Sequence, residues 1–225
     1  GQPPLLRAAG AGADRVRVTV FGATGVIGRA LLPLLAAEHE VVAVSRRPRA
    51  DADGVRWVVA DAATGDGVET AVAGADAVHY LVHSLGEDDF ARRDREAAAN
   101  VSRHASRAGV GQIVYLGGLG GDDPDASAHL RSRRETGERL AADGVPVTTL
   151  RAAMVVGRGS AAFETILHLV KRLPVMITPS WVSTPTQPIA IGDVARYLAG
   201  VTGLEAAHGQ SLDAGGPEVM TYRQM

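Results

Sequence analysis

Residues 16–28 read Val-Arg-Val-Thr-Val-Phe-Gly-Ala-Thr-Gly-Val-Ile-Gly. The β-branched residues before the first glycine predict a buried strand, and the apolar run after the third glycine predicts a helix. The first glycine permits a tight turn, the second lets backbone amides approach a pyrophosphate, and the third lets the helix lie close to the strand. The first amides of such a helix favour phosphate. We therefore interpret residues 22–28, the glycine segment, as a dinucleotide-binding crossover, with a purely structural turn as the alternative.

The composition is that of an ordinary globular domain. The chain has 225 residues, of which 46% are hydrophobic and 21% charged, which suffices for one large core. The net charge of −2 gives no electrostatic footprint for nucleic acid or an anionic membrane, and we expect neither as a partner. No apolar run approaches the roughly 18 residues of a membrane span. The absence of cysteine agrees with a cytoplasmic location, whereas the oligomeric state is left open.

Three regions are expected along the chain. Residues 1–14, rich in Gly, Ala and Pro, are expected to be a flexible leader, because they lack the apolar core of a signal peptide. Residues 15–160 alternate between strand and helix patterns and are expected to form the dinucleotide-binding core. Residues 161–225 are expected to supply a small substrate region and the final strands of the same domain. Within them, residues 174–188 contain four prolines and suit a substrate lid, and we expect part of a C-terminal lobe to follow Met225.

The end of the second predicted strand bears on the choice of nucleotide. Arg46 and Arg47 follow this strand directly, and no acidic residue stands there. An Asp or Glu about 20 residues after the glycines binds the ribose 2′-hydroxyl of NAD, whereas arginine accommodates the 2′-phosphate of NADP. The sequence therefore predicts a preference for NADP(H), with NAD(H) as the second choice. The alternative is that the two arginines are simply solvated loop charges.

Polar or glycine-rich loops follow three further predicted strands. Asp61 follows the third strand, where it suits an adenine contact or a helix cap. His83 follows the fourth, where it lines a nicotinamide pocket or simply packs its own loop. The glycine run at 117–121 follows the fifth and implies close approach to a ligand or an irregular path. Asp193 is predicted to cap a late helix, and the scattered histidines predict no metal site.

Together these features resemble the extended and atypical short-chain dehydrogenase/reductases. Within them, the chain is most similar to the NAD(P)H-binding group related to NAD-dependent epimerase/dehydratase and NmrA-like proteins. The resemblance covers residues 16–225 and rests on the glycine segment, Asp61, Asn100 and the segments 151–157, 187–195 and 215–217. It implies a doubly wound α/β Rossmann fold with about seven parallel strands and the cofactor across their carboxyl edge.

The resemblance also implies a set of cofactor neighbours. The pyrophosphate neighbours are Gly22, Thr24, Gly25, Val26 and Ile27, with Gly28 completing the motif; the 2′-phosphate neighbours are Arg46 and Arg47; the adenine neighbours are Asp61 and Ala62; and the ribose or nicotinamide neighbours are Leu81, Val82 and His83.

The catalytic positions depart from the family pattern. Active members use a Tyr-x-x-x-Lys pair, in which lysine lowers the pKa of the tyrosine, together with a serine that holds the substrate oxygen. The corresponding helix here offers His129 and Arg133 at the same spacing, and Gly117 and Gly118 stand where the serine is expected. His129 is therefore the candidate proton donor, and Arg133 the candidate that orients cofactor or product charge.

Three functions remain open at this point. The first is NADPH-dependent reduction of a small apolar carbonyl or enone compound, with Met154, Phe163 and Trp181 as candidate substrate contacts. The second is a non-catalytic NADP(H)-binding sensor or regulator of the NmrA type. The third is a structural assembly subunit that keeps a dinucleotide for stability. Under the last two, His129 is an ordinary surface residue of its helix.

Overall fold

The computed structural model describes residues 15–83, 89–121, 123, 126–160, 163–164, 185–221 and 223–224. The expected leader, Trp181 and most of the proline-rich segment lie outside this part of the chain. The strands are β1 (Arg17–Phe21), β2 (Glu40–Ser45), β3 (Val55–Val59), β4 (Ala77–Tyr80), β5 (Gln112–Gly118), β6 (Val147–Ala152), β7 (Val155–Val156), β8 (Pro185–Thr186), β9 (Ile189–Ala190), β10 (Ser211–Ala214) and β11 (Met220–Thr221). The helices are α1 (Val26–Glu38), α2 (Val68–Val72), α3 (Phe90–Arg107), α4 (Ala128–Leu140) and α5 (Ile191–Gly200).

Seven parallel strands form the central sheet in the order β10-β6-β5-β4-β1-β2-β3. The chain moves outward from β1 through β2 to β3, returns to β4 on the other side of β1, and then continues outward. The point between β1 and β4 is therefore the topological switch point, where open α/β sheets bind ligands at their carboxyl ends. This order confirms the predicted doubly wound Rossmann sheet.

Helices cover both faces of the sheet. On one face, α1 and α5 pack against each other and bury Leu31, Leu35 and Leu198 with one set of strand side chains. On the other face, α2, α3 and α4 bury a second cluster that includes Val101 and Leu140. Because parallel strands are covered on both sides, their sequences are continuous apolar runs, which is the pattern that predicted them.

Two local predictions were wrong. Gly117 and Gly118 do not begin a loop, because β5 continues through them and pairs with Arg151 and Ala152 of β6. Asp193 does not cap α5, whose N-cap is Ala190. Asp193 lies in the first turn of that helix, where its carboxylate accepts a hydrogen bond from Arg196 at 2.7 Å and complements the helix dipole.

Candidate functional site

The glycine segment leaves the first turn of α1 without a side-chain cap. Gly25 is the N-cap residue, and the first turn holds no acidic side chain that would satisfy its amides. Gly22 has a φ of +80°, and its carbonyl accepts a hydrogen bond from the amide of Gly25 at 3.0 Å. Thr24 and Gly25 are exposed. First-turn amides without a side-chain cap, at the positive end of a helix, suit an anion.

The space that side chains would need in this segment is already filled by backbone. A Cβ on Gly28 would lie 2.5 Å from the carbonyl oxygen of Gly22, and a Cβ on Gly22 would lie 2.8 Å from the carbonyl carbon of Leu81. The absence of a side chain at these two positions therefore allows α1 to lie close to β1, and the end of β1 to lie close to the end of β4. The segment fits a dinucleotide pyrophosphate, which the amides of Val26, Ile27 and Gly28 would hold.

Arg46 and Arg47 lie exposed directly after β2. Within the described part of the chain, neither side chain forms an ion pair with a carboxylate. The nearby Asp51 carboxylate accepts a hydrogen bond from the Trp57 amide at 2.8 Å and does not form an ion pair with either arginine. The Arg49 guanidinium lies 5.1 Å from the centre of the Trp57 ring. The strand end therefore presents two cations that are available to an anion.

The loop after β3 is fixed by hydrogen bonds. Asp61 accepts one from the amide of Ala63 at 2.9 Å, so its carboxylate caps its own turn and not a helix as the alternative interpretation had it. Asn100 of α3 donates to the carbonyl oxygens of Ala62 at 2.9 Å and Ala63 at 3.2 Å. The side chain of Ala62 is buried in the core. The Asp61 side chain and the loop backbone are therefore the groups that could contact a nucleotide here.

Polar side chains gather where β4 ends and α4 begins. His83 and His129 lie close enough to Arg133 for its positive charge to lower the pKa of both imidazoles, although desolvation by burial is the larger cause. Asp94, buried on α3, acts in the opposite direction on both. Both imidazoles keep accessible surface. We call His83, Asp94, His129 and Arg133 the polar cluster.

Arg133 also holds α4 against the sheet. Its Nη2 donates to the carbonyl oxygen of Leu116, and its guanidinium lies 5.1 Å from the centre of the Tyr115 ring. The Tyr115 hydroxyl donates to the carbonyl oxygen of Arg133 at 2.9 Å. A Cβ on Gly118 would lie 2.8 Å from Cδ2 of Leu130, so the helix packs tightly where the family serine would stand. Arg133 therefore positions α4 in addition to contributing its charge.

Neither buried tyrosine of this region can replace the missing catalytic one. Tyr80 and Tyr115 lie with ring centres 6.1 Å apart, and burial raises the pKa of both phenols. Both phenols are therefore weaker acids than a free tyrosine, the opposite of the lowered pKa that the family tyrosine needs, and both are buried. Lys171 is the single lysine of the chain, and Leu167 stands four residues before it, so the sequence contains no Tyr-x-x-x-Lys pair. Within the described part of the chain, the two histidines of the polar cluster are the candidate proton donors at this edge.

The candidate substrate residues lie after β6. Met154 is half-buried, and its carbonyl oxygen accepts a hydrogen bond from the Ile189 amide at 2.9 Å. Phe163 is half-buried as well, whereas Trp181 lies outside the described residues. Met154 and Phe163 therefore lie in the segment that leaves the carboxyl edge of the sheet after β6.

Three features of this edge were not found from the sequence. Asp94 and Tyr115 lie in a charged helix and in an apolar strand, and no local pattern distinguishes them from ordinary residues of those elements. The third is the turn at residues 157–160, which contacts α1 through Gly159. Two glycines on either side of Arg158 could have predicted a tight turn. Its contact with α1 joins segments that are far apart in the chain.

Neither a membrane-spanning helix nor a metal-binding cluster occurs among the described residues. None of their helices is long and apolar enough to span a bilayer. No three His, Asp or Glu side chains among them gather in an arrangement that would hold a metal ion.

Known proteins match this architecture. A family model described as NAD(P)H-binding matches residues 22–161. An uncharacterised protein of Mycobacterium tuberculosis strain H37Rv is 32% identical over 161 residues, which are 71% of this chain but 17% of the relative. The chain thus spans only a small part of its mycobacterial relatives.

Two further proteins match most of the chain. A (4-alkanoyl-5-oxo-2,5-dihydrofuran-3-yl)methyl phosphate reductase of Streptomyces griseus is 29% identical over 212 residues, covering 92% of this chain and 70% of the relative. The solved triphenylmethane reductase of Citrobacter sp., complexed with NADP(H), superposes with a TM-score of 0.75 at 20% identity, covering 92% of this chain and 73% of its own. That structure shares the fold.

The family match begins at Gly22, includes the glycine segment and the polar cluster, and extends beyond β6 over more than half of the chain. The sheet order and the uncapped first turn of α1 agree with it. The chain belongs to the NAD(P)H-binding family and has the Rossmann fold of the short-chain dehydrogenase/reductases.

Proposed function

We propose that the chain is an NADPH-dependent reductase of a small apolar carbonyl or enone compound. The observation that carries the proposal is the pair Arg46 and Arg47, which lie exposed and without an ion pair among the described residues, on the same sheet edge as the uncapped first turn of α1. Arginine binds phosphate through several parallel hydrogen bonds, so this pair suits the 2′-phosphate that distinguishes NADPH from NADH.

Different residues along the carboxyl edge of the sheet bind different parts of the nucleotide. The first-turn amides of α1 hold the pyrophosphate, Asp61 contacts the adenine, and residues 81–83 lie beside the ribose and nicotinamide. When bound, NADPH supplies a hydride to the substrate. The side chains of Met154 and Phe163 offer apolar surface to that substrate, which supports a small apolar molecule.

His129 supplies the proton that balances hydride transfer. Its imidazole keeps accessible surface, and its pKa is lowered by desolvation and by the charge of Arg133. The protonated form therefore becomes abundant only below about pH 6.5, and it is then a stronger acid than an unperturbed imidazolium. His83 shares these surroundings and is the second candidate for the same role.

The relatives support a reductase of this substrate class. The Streptomyces relative is named as the reductase of a methyl phosphate ester whose dihydrofuran ring carries an oxo group and an alkanoyl group. It therefore supports reduction of a carbonyl or enone compound, whereas the apolar character of the substrate rests on Met154 and Phe163. The Citrobacter structure is complexed with NADP(H).

The test is a fluorescence titration of the purified protein with NADPH and with NADH. We expect the wild type to bind NADPH more tightly, and the double variant Arg46→Ala/Arg47→Ala to lose at least about tenfold in NADPH affinity and less than about twofold in NADH affinity. The variant Arg103→Ala/Arg107→Ala removes the same charge from α3 and serves as the control. Equal losses for both nucleotides would reject the assignment of the 2′-phosphate.

A non-catalytic NADP(H)-binding sensor is the second candidate. It is favoured by Gly117 and Gly118, since glycine offers no hydroxyl where the resemblance places the family serine. Both candidates bind NADPH, but only a reductase oxidises it when substrate is added. A panel of simple ketones, enones and quinones, assayed by NADPH absorbance, separates the two: turnover of any of them supports the reductase, whereas binding without turnover supports the sensor.

A further inference from the structure

The turn at residues 157–160, which we call the covering turn, has a fixed backbone. The amide of Ser160 donates to the carbonyl oxygen of Gly157 at 3.1 Å, and Gly159 has a φ of +84°, which glycine adopts without strain. The Ser160 hydroxyl donates to the carbonyl oxygen of Val155 at 2.6 Å. The Glu164 carboxylate accepts a hydrogen bond from the amide of Gly159 at 2.9 Å. These bonds hold the turn in one position.

The covering turn lies against the beginnings of two helices. A Cβ on Gly159 would lie 2.9 Å from Cγ2 of Val26, the first residue of α1. A Cβ on Gly157 would lie 2.5 Å from Cδ1 of Ile191, the first residue of α5. Both helix N-termini carry a partial positive charge, but Asp193 in the first turn already complements that of α5, so the N-terminus without an acidic side chain in its first turn is that of α1.

Arg158 stands between these two glycines at the tip of the turn. Its side chain is exposed, and no ion pair joins it to a carboxylate of the described residues. The backbone of its neighbour Gly159 contacts α1 at the residue whose amide begins the anion site. Arg158 therefore stands one residue from the contact between the turn and the first residue of α1.

We infer that Arg158 binds the pyrophosphate of the dinucleotide and closes the anion site from the side of the covering turn. The inference rests on the proposed function, because it requires that the glycine segment hold a pyridine dinucleotide. The pyrophosphate is common to NADPH and NADH, so Arg158 contributes equally to both. Arg46 and Arg47, by contrast, contribute to NADPH alone.

The test measures dissociation constants for NADPH, NADH and ADP-ribose, which has the pyrophosphate but neither the nicotinamide nor the 2′-phosphate. We expect Arg158→Ala to weaken all three by the same factor of about five, as for one partly solvated charge contact. Arg158→Lys keeps the charge and should recover part of the loss. Arg103→Ala removes an exposed arginine of α3 and is the control, and thermal unfolding verifies that each variant is folded.

The outcomes separate the inference from the proposed function. If the wild type takes up no pyridine nucleotide, the proposed function fails and the inference fails with it. If the wild type binds NADPH and Arg158→Ala binds all three ligands as tightly as the wild type, the inference alone is overturned. A loss confined to NADPH would also overturn it, because that would place Arg158 at the 2′-phosphate.

Discussion

The glycine segment and the polar cluster lie at the same edge of one sheet but are built differently. The glycine segment is built from backbone: the first turn of α1 has no side-chain cap, and backbone atoms occupy the space that a Cβ on Gly28 would fill. The polar cluster works through side chains from the end of β4, α3 and α4, whose charges act on one another. The proposed cofactor site thus depends on backbone geometry, whereas the proposed chemistry depends on side chains that are distant in sequence.

This difference explains how the chain can keep the glycine segment of the family pattern and change the catalytic residues. A substitution in the glycine segment must move backbone, so few residues are compatible with the site. A substitution of the exposed His83 or His129 in the polar cluster changes a charge or a pKa and leaves the fold intact, whereas Arg133 also holds α4 against the sheet. The predictions below test whether the two regions respond in these two ways.

The largest effect is expected from Gly28→Ala. Because the new Cβ would lie 2.5 Å from the carbonyl oxygen of Gly22, α1 must move away from β1. Loss of two charge-assisted amide contacts should weaken the binding of NADPH about a hundredfold. Overpacking should lower the free energy of unfolding by about 1–3 kcal/mol. Calorimetric titration and urea unfolding measure the two effects.

Gly192→Ala is the matched control. Gly192 also lies in the first turn of a helix, but a Cβ there would meet only the Arg196 guanidinium, at 3.9 Å. Alanine should therefore stabilise α5 slightly, by up to about 1 kcal/mol. If Gly28→Ala behaved like this control, the tight contact in the glycine segment would have no energetic importance.

A buried histidine outside both regions controls stability at acid pH. His79 is fully buried, its Nε2 lies 2.9 Å from the Thr202 hydroxyl, and its Nδ1 has no hydrogen-bond partner in the described part of the chain. The Thr202 hydroxyl donates to the carbonyl oxygen of Leu198 at 3.0 Å, so His79 donates through Nε2. Desolvation, with a smaller contribution from His39, lowers the pKa of His79 to about 3.

This pKa predicts acid destabilisation. The unfolded imidazole binds a proton below its ordinary pKa of about 6.5, whereas the folded one stays neutral down to about 3, so the free energy of unfolding falls as the pH drops through this window. His79 alone should remove about 2 kcal/mol between about pH 7.5 and pH 5. Urea unfolding of His79→Gln should show a correspondingly flatter pH dependence, and His104→Gln is the control. Equal slopes in wild type and His79→Gln would contradict this explanation.

The polar cluster is tested by His129→Ala. We expect substrate-dependent NADPH oxidation to fall at least about tenfold while the NADPH dissociation constant stays unchanged, because the imidazole donates a proton and does not hold the cofactor. The wild-type rate should rise as the pH falls below about 6.5, since the pKa of His129 is lowered, and this rise should be absent from the variant. Wild-type turnover in His129→Ala would exclude it from the chemistry, and the same assay of His83→Ala would then test the second histidine.

Much of the fold could be predicted from the sequence because it depends on local patterns. Apolar runs of strand length and helical periodicity predicted the alternation of strands and helices that the structure has. The glycine segment was recognisable because each of its glycines has a local backbone reason. The resemblance to the family then supplied the number of strands.

The errors and omissions have one physical cause, which is contact between segments distant in sequence. Glycine predicts a loop from local preference, but Gly117 and Gly118 stay in β5 because β6 pairs with them. Asp193 has the residue type of a cap but stands three residues after Ala190, the N-cap of α5. No pattern within a single helix or strand predicts that the turn containing Arg158 contacts α1. Nor does such a pattern predict that the charge of Arg133 lowers the pKa of two histidines.

The most direct measurement is a crystal structure of the protein soaked with NADPH. The account predicts the pyrophosphate on the amides of Val26 and Ile27, the 2′-phosphate between Arg46 and Arg47, and a polar-cluster imidazole beside the nicotinamide. A nucleotide bound away from the glycine segment, or a 2′-phosphate that contacts neither arginine, would contradict it.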